Sequence, residues 1–226
     1  MTSTVFSRRP EAILFDLDGT LADTAPDLAA ALNKLRVDRG LEPAPYESLR
    51  PYASAGARGL IGAGLGLGPD ADEYEGLRVA FLDNYAASIS VHSRLFDGVP
   101  DLLERLQSAG LGWGIVTNKA MRFTDALVPL IGLGHAGCIV SGDTTAHAKP
   151  HPAPLLEAAQ RLRVSPTACW YVGDDMRDIQ AGRAAGMVTI AAAWGYCGSD
   201  GPLQWNAHAI AASPLELLDM IPQFAS

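Results

Sequence analysis

Two carboxylates stand two residues apart at the end of an apolar run near the start of the chain. The run AILF (12–15) is followed by Asp16 and Asp18, and the chain then turns at Gly19. Negative charges held this close repel one another and raise each other's pKa unless a positive charge compensates them. The pattern therefore predicts a site that also contains a cation.

Polar side chains also follow two later apolar runs. The run GWGIVT (112–117) ends in a threonine with an asparagine next, and the run CWYVG (169–173) is followed by three aspartates. Ligands of a parallel α/β sheet lie beyond the carboxyl ends of its strands, so we expect these groups to meet at one edge. A lone lysine lies in the loop AHAKPHP. The candidate residues are Thr117, Asn118, Lys149, Asp174, Asp175 and Asp178.

Four of the aspartates, Asp16, Asp18, Asp174 and Asp178, predict a metal site. Their carboxylates would destabilise one another if they were brought together without a cation. A hard divalent cation with oxygen ligands removes that conflict, and Mg²⁺ suits such a set. Lys149 adds a second positive charge. The expected ligand is then a phosphoryl group, whose oxygens bind metal, lysine, hydroxyl and backbone N–H groups.

The two carboxylates after the first run can differ in role. Asp16, held against the metal, can attack phosphorus and become an aspartyl phosphate. Asp18 can project back beside it once the chain turns at Gly19. From there it can protonate the leaving oxygen and later activate water. The pair therefore predicts covalent phosphoryl chemistry with one nucleophile and one general acid/base.

Alternating strand and helix patterns predict the scaffold that positions these residues. Besides the first run, short apolar stretches that read as buried strands are 112–117, 137–141, 169–173 and 188–193. Helical patterns lie between several of them, such as 99–110 with Pro100 near its start. This alternation is typical of an α/β fold with a parallel sheet covered on both faces.

One long interval interrupts the alternation. From about residue 22 to 93 the pattern favours helices, and no strand is convincing. We therefore predict a core formed by residues 1–22 and 93–226, with a helical cap domain of residues 23–92 inserted after the first strand. Asp23 and Asp175 are expected to cap helices, because Asp is favoured at that position.

Composition excludes several classes of function. The 226 residues carry a net charge of -8, with a pI of about 5.0, so binding to a nucleic-acid backbone is not expected. Three widely spaced cysteines favour reduced thiols over disulfides or a metal cluster. No secretory signal and no membrane-spanning stretch is recognised. We expect a cytoplasmic protein that is a monomer or a homodimer.

The four motifs together resemble the haloacid-dehalogenase-like superfamily of phosphohydrolases. They are Asp16-Leu17-Asp18-Gly19-Thr20, Thr117-Asn118, Lys149-Pro150 and Gly173-Asp174-Asp175-x-x-Asp178, in that family's order. The resemblance covers nearly the whole chain and implies a Rossmann-like core with a helical cap after the first motif.

This resemblance also implies individual roles. Asp16 is the expected nucleophile and metal ligand, and Asp18 the acid/base, with its backbone carbonyl on the metal. Asp174 is expected to bind Mg²⁺ directly, and Asp178 through water or from behind the ligands. The residues expected around the phosphoryl oxygens are Thr117, Lys149 and Asn118.

Within the superfamily, the stretches FDLDGTLADTAPDL, VTNK and VGDDMRDIQAGRAAGM resemble bacterial phosphoglycolate phosphatases. VHSRLFDGV (91–99) and WGYCGSDGPLQWNAH (194–208) resemble N-acetylmuramic acid 6-phosphate phosphatases. Both substrates carry a phosphomonoester and a carboxylate. A cation of the cap would suit that carboxylate, and the candidate is Arg58, in the glycine-rich segment 56–68, which is read as a helix–loop junction.

Three other classes share parts of the pattern and stay open. A response-regulator receiver has a phosphoaccepting Asp, but neither a cap nor the second carboxylate. A haloacid dehalogenase lacks the residue equivalent to Asp18 and needs no Mg²⁺. A β-phosphoglucomutase-like mutase shares the whole core and would isomerise a sugar phosphate rather than release phosphate.

Overall fold

The computed structural model describes residue 6, residues 8–198 and residues 201–222, and its centre is a parallel sheet. The eight strands of the described residues are β1 Ala12–Phe15, β2 Ala22–Asp23, β3 Arg94–Leu95, β4 Gly112–Val116, β5 Ile139–Val140, β6 Cys169–Gly173, β7 Val188–Ala192 and β8 Ala209–Ala211. Six of them form the sheet, in the order β5-β4-β1-β6-β7-β8, and every pair in it is parallel. This confirms the predicted α/β class.

The central strand β1 is buried along its whole length because it pairs on both edges and is covered on both faces. Its partners are β4 and β6, and its four residues have no exposed surface. Such two-sided burial explains why the strands read as continuous apolar runs instead of alternating ones. The helices that cover the sheet are α5 Val99–Ser108, α6 Met121–Leu130, α7 Ala153–Leu162, α8 Met176–Ala184 and α9 Glu216–Met220.

The interval between β2 and β3 is helical, as the sequence predicts. It forms its own buried cluster, in which Leu32, Leu60 and Phe81 are almost completely buried. The helices are α1 Ala25–Asp38, α2 Tyr46–Leu49, a 3₁₀ helix Arg50–Ala55, α3 Gly56–Leu65 and α4 Tyr74–Ala87. The division into core and cap at residues 23–92 stays a prediction.

The glycine-rich segment consists of helix α3, whose Leu60 and Ile61 are buried, and of the start of the loop after it, with Gly66 ending the helix. Two local predictions are wrong. The sequence shows no strand at β2, β3 or β8, since two or three residues carry no readable period. Asp23 does not cap α1; the residue before that helix is Thr24, and its side chain makes no capping hydrogen bond.

Asp27, on α1, fastens the segment that returns from the helical interval to the sheet. Its carboxylate is buried and accepts hydrogen bonds from the backbone N–H of His92 at 3.0 Å and of Ser93 at 2.8 Å. The Ser93 hydroxyl adds a third, at 2.6 Å. A buried carboxylate is tolerated only with such partners, so this contact fixes the two connections side by side.

Tyr196, in the loop after β7, binds the segment that leads from β2 into α1. Its hydroxyl accepts from the backbone N–H groups of Thr24 at 2.7 Å and Ala25 at 2.9 Å, and it donates to Oδ1 of Asp23 at 3.1 Å. The start of α1 is therefore held by a residue more than 170 positions away. Among the described residues, no helix has the length and hydropathy needed to cross a membrane.

Candidate active site

The nucleophile candidate Asp16 lies directly after β1 and is almost completely buried. Its Oδ1 is 2.8 Å from Nζ of Lys149, at the end of a loop 133 residues further on. The chain turns at Gly19, whose φ of 88° favours glycine. A Cβ there would lie 2.2 Å from a carboxylate oxygen of Asp174, so only glycine lets the first and fourth motifs approach this closely.

Lys149 is a buried cation and not a surface lysine. Besides Asp16, its ammonium contacts Oδ1 of Asp178 at 2.7 Å, the carbonyl oxygen of Val116 at 2.9 Å and the hydroxyl of Tyr171 at 2.8 Å. Burial alone would lower the pKa of Lys149, but the Asp16 and Asp178 carboxylates raise it above its ordinary value. The lysine is therefore charged and compensates two of the four carboxylates.

Thr117 and Asn118 lie at the end of β4, where the sequence places them. The Thr117 side chain is buried, and its Oγ1 accepts a hydrogen bond from the backbone N–H of Lys119 at 3.1 Å. The Asn118 side chain forms two hydrogen bonds of 2.9 Å with the backbone of Lys149, one to its carbonyl oxygen and one from its N–H. Asn118 therefore positions the loop that carries the lysine.

Asp174, at the end of β6, is completely buried and accepts three hydrogen bonds. The donors are Thr20 Oγ1 at 3.0 Å, Ser54 Oγ at 2.9 Å and the backbone N–H of Tyr196 at 3.0 Å. Ser54 belongs to the 3₁₀ helix of the inserted interval, so this carboxylate is contacted from both parts of the molecule. No sequence motif marks Ser54, and Tyr196 lies in the stretch 194–208, which gave a family resemblance but no role for this residue.

Three carboxylates form a pocket of oxygens that fits a divalent cation. Asp16, Asp174 and Asp178 are buried, and each offers an oxygen within 4.8 Å of those of the other two. Burial, followed by the neighbouring carboxylates, raises the pKa of Asp174 well above its ordinary value. Burial also raises the pKa of Asp16 to about 7, against the opposing effect of Lys149. A hard cation with oxygen ligands relieves this charge, and the donor set suits Mg²⁺.

Asp18, the acid/base candidate, faces a different partner. Nζ of Lys119 lies 2.9 Å from its Oδ1, and the Thr24 hydroxyl donates to the same oxygen at 2.5 Å. Burial would lower the pKa of Lys119, but Asp18 and then Tyr85 raise it above the ordinary value. Sequence reasoning missed Lys119, although it directly follows the Thr117-Asn118 pair.

Asp175 caps α8, as predicted, and does not join the carboxylate cluster. Its side chain accepts from the backbone N–H of Arg177 at 2.9 Å, while Asp178 accepts from the backbone N–H of Asp175 at 3.1 Å. The Arg177 guanidinium pairs with Asp175 and donates to the carbonyl oxygen of Ser54 at 2.8 Å. Arg177 is thus a second contact between the core and the 3₁₀ helix.

A cavity of about 520 Å³ opens over these groups, between the sheet and the inserted helices. Its floor carries the four motifs, and its roof is largely apolar. Arg58 is exposed on α3 and is not among the residues that line the cavity, so its role stays a prediction. The cations that line it are Arg78, Lys119, Arg122, Lys149 and Arg177; the apolar and aromatic residues include Leu28, Phe81, Leu82, Tyr85 and Phe123.

The fold and these four motifs define a class of protein. Residues 10–186 match the family model described as haloacid dehalogenase-like hydrolase. The chain belongs to this family, and the resemblance found in its sequence is confirmed. It is a phosphatase, that is, a phosphoric monoester hydrolase.

Two curated relatives and one solved structure are similar to this chain over most of its length. The chain is 46% identical to a phosphoglycolate phosphatase of Xanthomonas campestris pv. campestris over 93% of this chain and 96% of the relative. It is 42% identical to an N-acetylmuramic acid 6-phosphate phosphatase of Pseudomonas aeruginosa, over 94% and 95%. A crystal structure described as a predicted phosphoglycolate phosphatase from Haemophilus somnus 129PT has a TM-score of 0.83 at 26% identity, over 94% and 98%.

Proposed function

We propose that the protein hydrolyses a small phosphomonoester through an aspartyl phosphate on Asp16, with Mg²⁺ as cofactor and 2-phosphoglycolate as substrate. The observation that supports this most directly is the buried contact of Asp16 with Lys149 beside the carboxylates of Asp174 and Asp178. A carboxylate nucleophile and a phosphoryl dianion repel each other, so the attack requires nearby cations that bind the phosphoryl oxygens.

The residues divide the reaction into two steps. Asp16 attacks phosphorus while Asp18 protonates the departing oxygen, and Asp18 then removes a proton from the water that hydrolyses the aspartyl phosphate. Thr117 and Lys149 bind the phosphoryl oxygens. When bound, Mg²⁺ neutralises charge on the phosphoryl group. Asp16, Asp174 and the backbone carbonyl of Asp18 would hold it.

Asp178 supports the site from behind the metal ligands. Its Oδ1 is engaged by Lys149 at 2.7 Å and its Oδ2 by the backbone N–H of Asp175 at 3.1 Å. Asp178 is thus paired with a cation, whereas the donors to Asp174 are neutral, and this favours a water-mediated link between Asp178 and the metal. Such outer partners fix the orientation of the ligands they contact.

The size and lining of the cavity favour a second candidate substrate, N-acetylmuramic acid 6-phosphate. A volume of about 520 Å³ lies well within the range of small-molecule sites. One water occupies about 30 Å³ of liquid, and the two-carbon glycolate part of the substrate is only a few times larger. 2-Phosphoglycolate would therefore leave much of the cavity to water. Leu28, Phe81 and Phe123 offer apolar surface that glycolate does not need and an N-acetyl sugar does. Location in the cytoplasm and a monomeric or homodimeric state stay predictions.

The direct test compares kcat/KM for the two esters by release of inorganic phosphate. The expected enzyme hydrolyses at least one of them in the presence of Mg²⁺. Asp16→Asn should abolish turnover with the fold intact, while the exposed Asp101→Asn should behave as wild type. Near-normal turnover of Asp16→Asn would refute the mechanism, and failure to hydrolyse either ester would refute the substrate class.

A further inference from the structure

Tyr85 on α4 carries a buried hydroxyl without a partner. The side chain is 1% exposed and lies in the wall of the cavity, and its hydroxyl makes no hydrogen bond to any described residue. Burial raises the pKa of Tyr85 and the neighbouring Lys119 ammonium lowers it. An ammonium can only donate hydrogen bonds, so the proton of the Tyr85 hydroxyl has no acceptor. Orphaned polar groups are uncommon in native structures, so this donor needs an explanation.

The ring of Tyr85 connects the helical interval to the acid/base end of the site. It packs against Phe123 of α6, with 5.4 Å between the two ring centroids. Nζ of Lys119 lies 4.7 Å from the centroid of the Tyr85 ring. The same Nζ is 2.9 Å from Asp18. Tyr85 therefore stands one side chain away from the group expected to protonate the leaving oxygen. A group at this position meets the leaving part of a substrate and not its phosphoryl oxygens.

Arg122 extends this wall with a positive charge. It also lines the cavity, it is exposed, and its guanidinium carbon lies 4.5 Å from the ring centroid of Phe123. Within the described part of the chain it forms no ion pair. The other two arginines of the cavity are engaged, Arg78 by Glu75 and Arg177 by Asp175. A guanidinium stacked on a ring and free to pair suits a carboxylate.

We propose that Tyr85 and Arg122 recognise the leaving group of the substrate. Tyr85 donates a hydrogen bond to an oxygen of that group, and Arg122 pairs with a carboxylate on it. The inference rests on the proposed phosphatase function and deepens it. It specifies the substrate class as phosphomonoesters whose alcohol carries a carboxylate. It also assigns recognition of that carboxylate to Arg122 instead of Arg58.

Two matched pairs of esters test this assignment. The first pair is 2-phosphoglycolate and ethyl phosphate, and the second is N-acetylmuramic acid 6-phosphate and N-acetylglucosamine 6-phosphate. The members of each pair differ by a carboxylate-bearing part. For the pair that wild type hydrolyses faster, Arg122→Gln should lower the ratio of kcat/KM values by about 10- to 100-fold. Arg105→Gln, an exposed arginine of α5, should leave the ratio unchanged.

Tyr85→Phe removes only the orphan hydroxyl. We expect its KM for the carboxylated ester to rise about tenfold, with kcat changed much less, and its Tm to stay equal to or above that of wild type. A purely structural hydroxyl would give the opposite pattern, a lower Tm with an unchanged KM. Tyr74→Phe, a buried tyrosine of the same helix outside the cavity, is the matched control.

These experiments distinguish a failure of the proposed phosphatase function from a failure of the roles assigned to Tyr85 and Arg122. If wild type hydrolyses none of the four esters, the proposed function is wrong and this inference falls with it. If wild type hydrolyses them and neither variant changes the ratio or KM, the assignment of Tyr85 and Arg122 is wrong while the phosphatase function stands.

Discussion

The hydroxyl of Ser54 donates a hydrogen bond of 2.9 Å to Oδ2 of Asp174, across 120 residues of sequence. Ser54 lies in the inserted helical interval, and Asp174 ends a central strand of the sheet. A second bond, from Arg177 to the Ser54 carbonyl oxygen at 2.8 Å, holds the same residue. The position of the inserted helices is thereby coupled to a carboxylate of the candidate metal pocket.

Replacing Ser54 by Ala should loosen this coupling. One hydrogen bond of this kind contributes about 1 kcal/mol, so backbone amides in the 3₁₀ helix Arg50–Ala55 should exchange roughly fivefold faster. Hydrogen exchange followed by mass spectrometry measures this. Ser48→Ala, which removes an exposed bond to Pro45, should not change exchange there. Equal protection in Ser54→Ala and wild type would show that this hydrogen bond does not hold the helix.

Asp18→Asn should be severely impaired, because proton transfer is needed at both steps. We expect kcat to fall by about 10² to 10⁴ for an alkyl phosphate. For 4-nitrophenyl phosphate, whose leaving group departs without a proton, the loss should be smaller. Steady-state kinetics with the two esters separates these cases. An equal loss for both would contradict the assignment of Asp18 as the acid that protonates the leaving oxygen.

Mg²⁺ should stabilise the folded protein independently of turnover. At a concentration of about 100 Kd, a ligand that binds only the native state adds about 2.7 kcal/mol, which thermal unfolding detects as a higher Tm. Asp174→Asn should lose this shift because it removes one of the three buried carboxylate charges that would hold the cation. Asp38→Asn, at an exposed salt bridge of α1, should retain it. EDTA should abolish activity, and activity that survives EDTA would indicate a metal-independent site.

Lys149→Met should destabilise the fold as well as stop turnover. It leaves Asp16 and Asp178 without the buried cation that contacts both, and breaking such a pair costs about 3–5 kcal/mol. Urea unfolding measures the loss. Lys34→Met removes an exposed pair with Asp38 and should cost less than about 1 kcal/mol. Similar losses for the two variants would argue against Lys149 as the compensating charge.

The three thiols should be unreactive in the native protein. Burial raises the pKa of Cys138 to about 11, of Cys169 to about 12 and of Cys197 to about 11, above an ordinary value of 9.0. Their contribution to stability is therefore complete below pH 9 and is lost as the pH rises through the folded values. A disulfide-exchange reagent at pH 8 should react slowly and titrate three thiols only after unfolding. Rapid native labelling would contradict this.

Much of the fold and the candidate site was readable from the chain itself. Strands buried on both faces appear as apolar runs, and a polar residue that ends such a run is placed at the sheet edge by local geometry. Asp16, Thr117 and Asp174 were located in this way, and the capping role of Asp175 followed from its position before α8. These signals are local, so one sequence is enough to show them.

Other features could not be read because they depend on how distant segments pack. The two-residue strands β2 and β3 exist only because their partners meet, and Asp23 turns to Tyr196 because the loop after β7 reaches it. The ammonium of Lys119 meets Asp18 because β1 and β4 are paired in parallel and end at the same sheet edge, and Tyr85 of α4 then covers it.

The sequence by itself determined the candidate catalytic groups, their order and the parallel sheet that carries them, because chemistry and burial pattern are local properties. Only the tertiary structure decided which inserted residues face those groups. It places Ser54 and Tyr85 at the site and leaves Arg58 outside the cavity. The physical reason is that side chains from separate elements meet only after the inserted helices have packed on the sheet, and no periodicity in either segment encodes that contact.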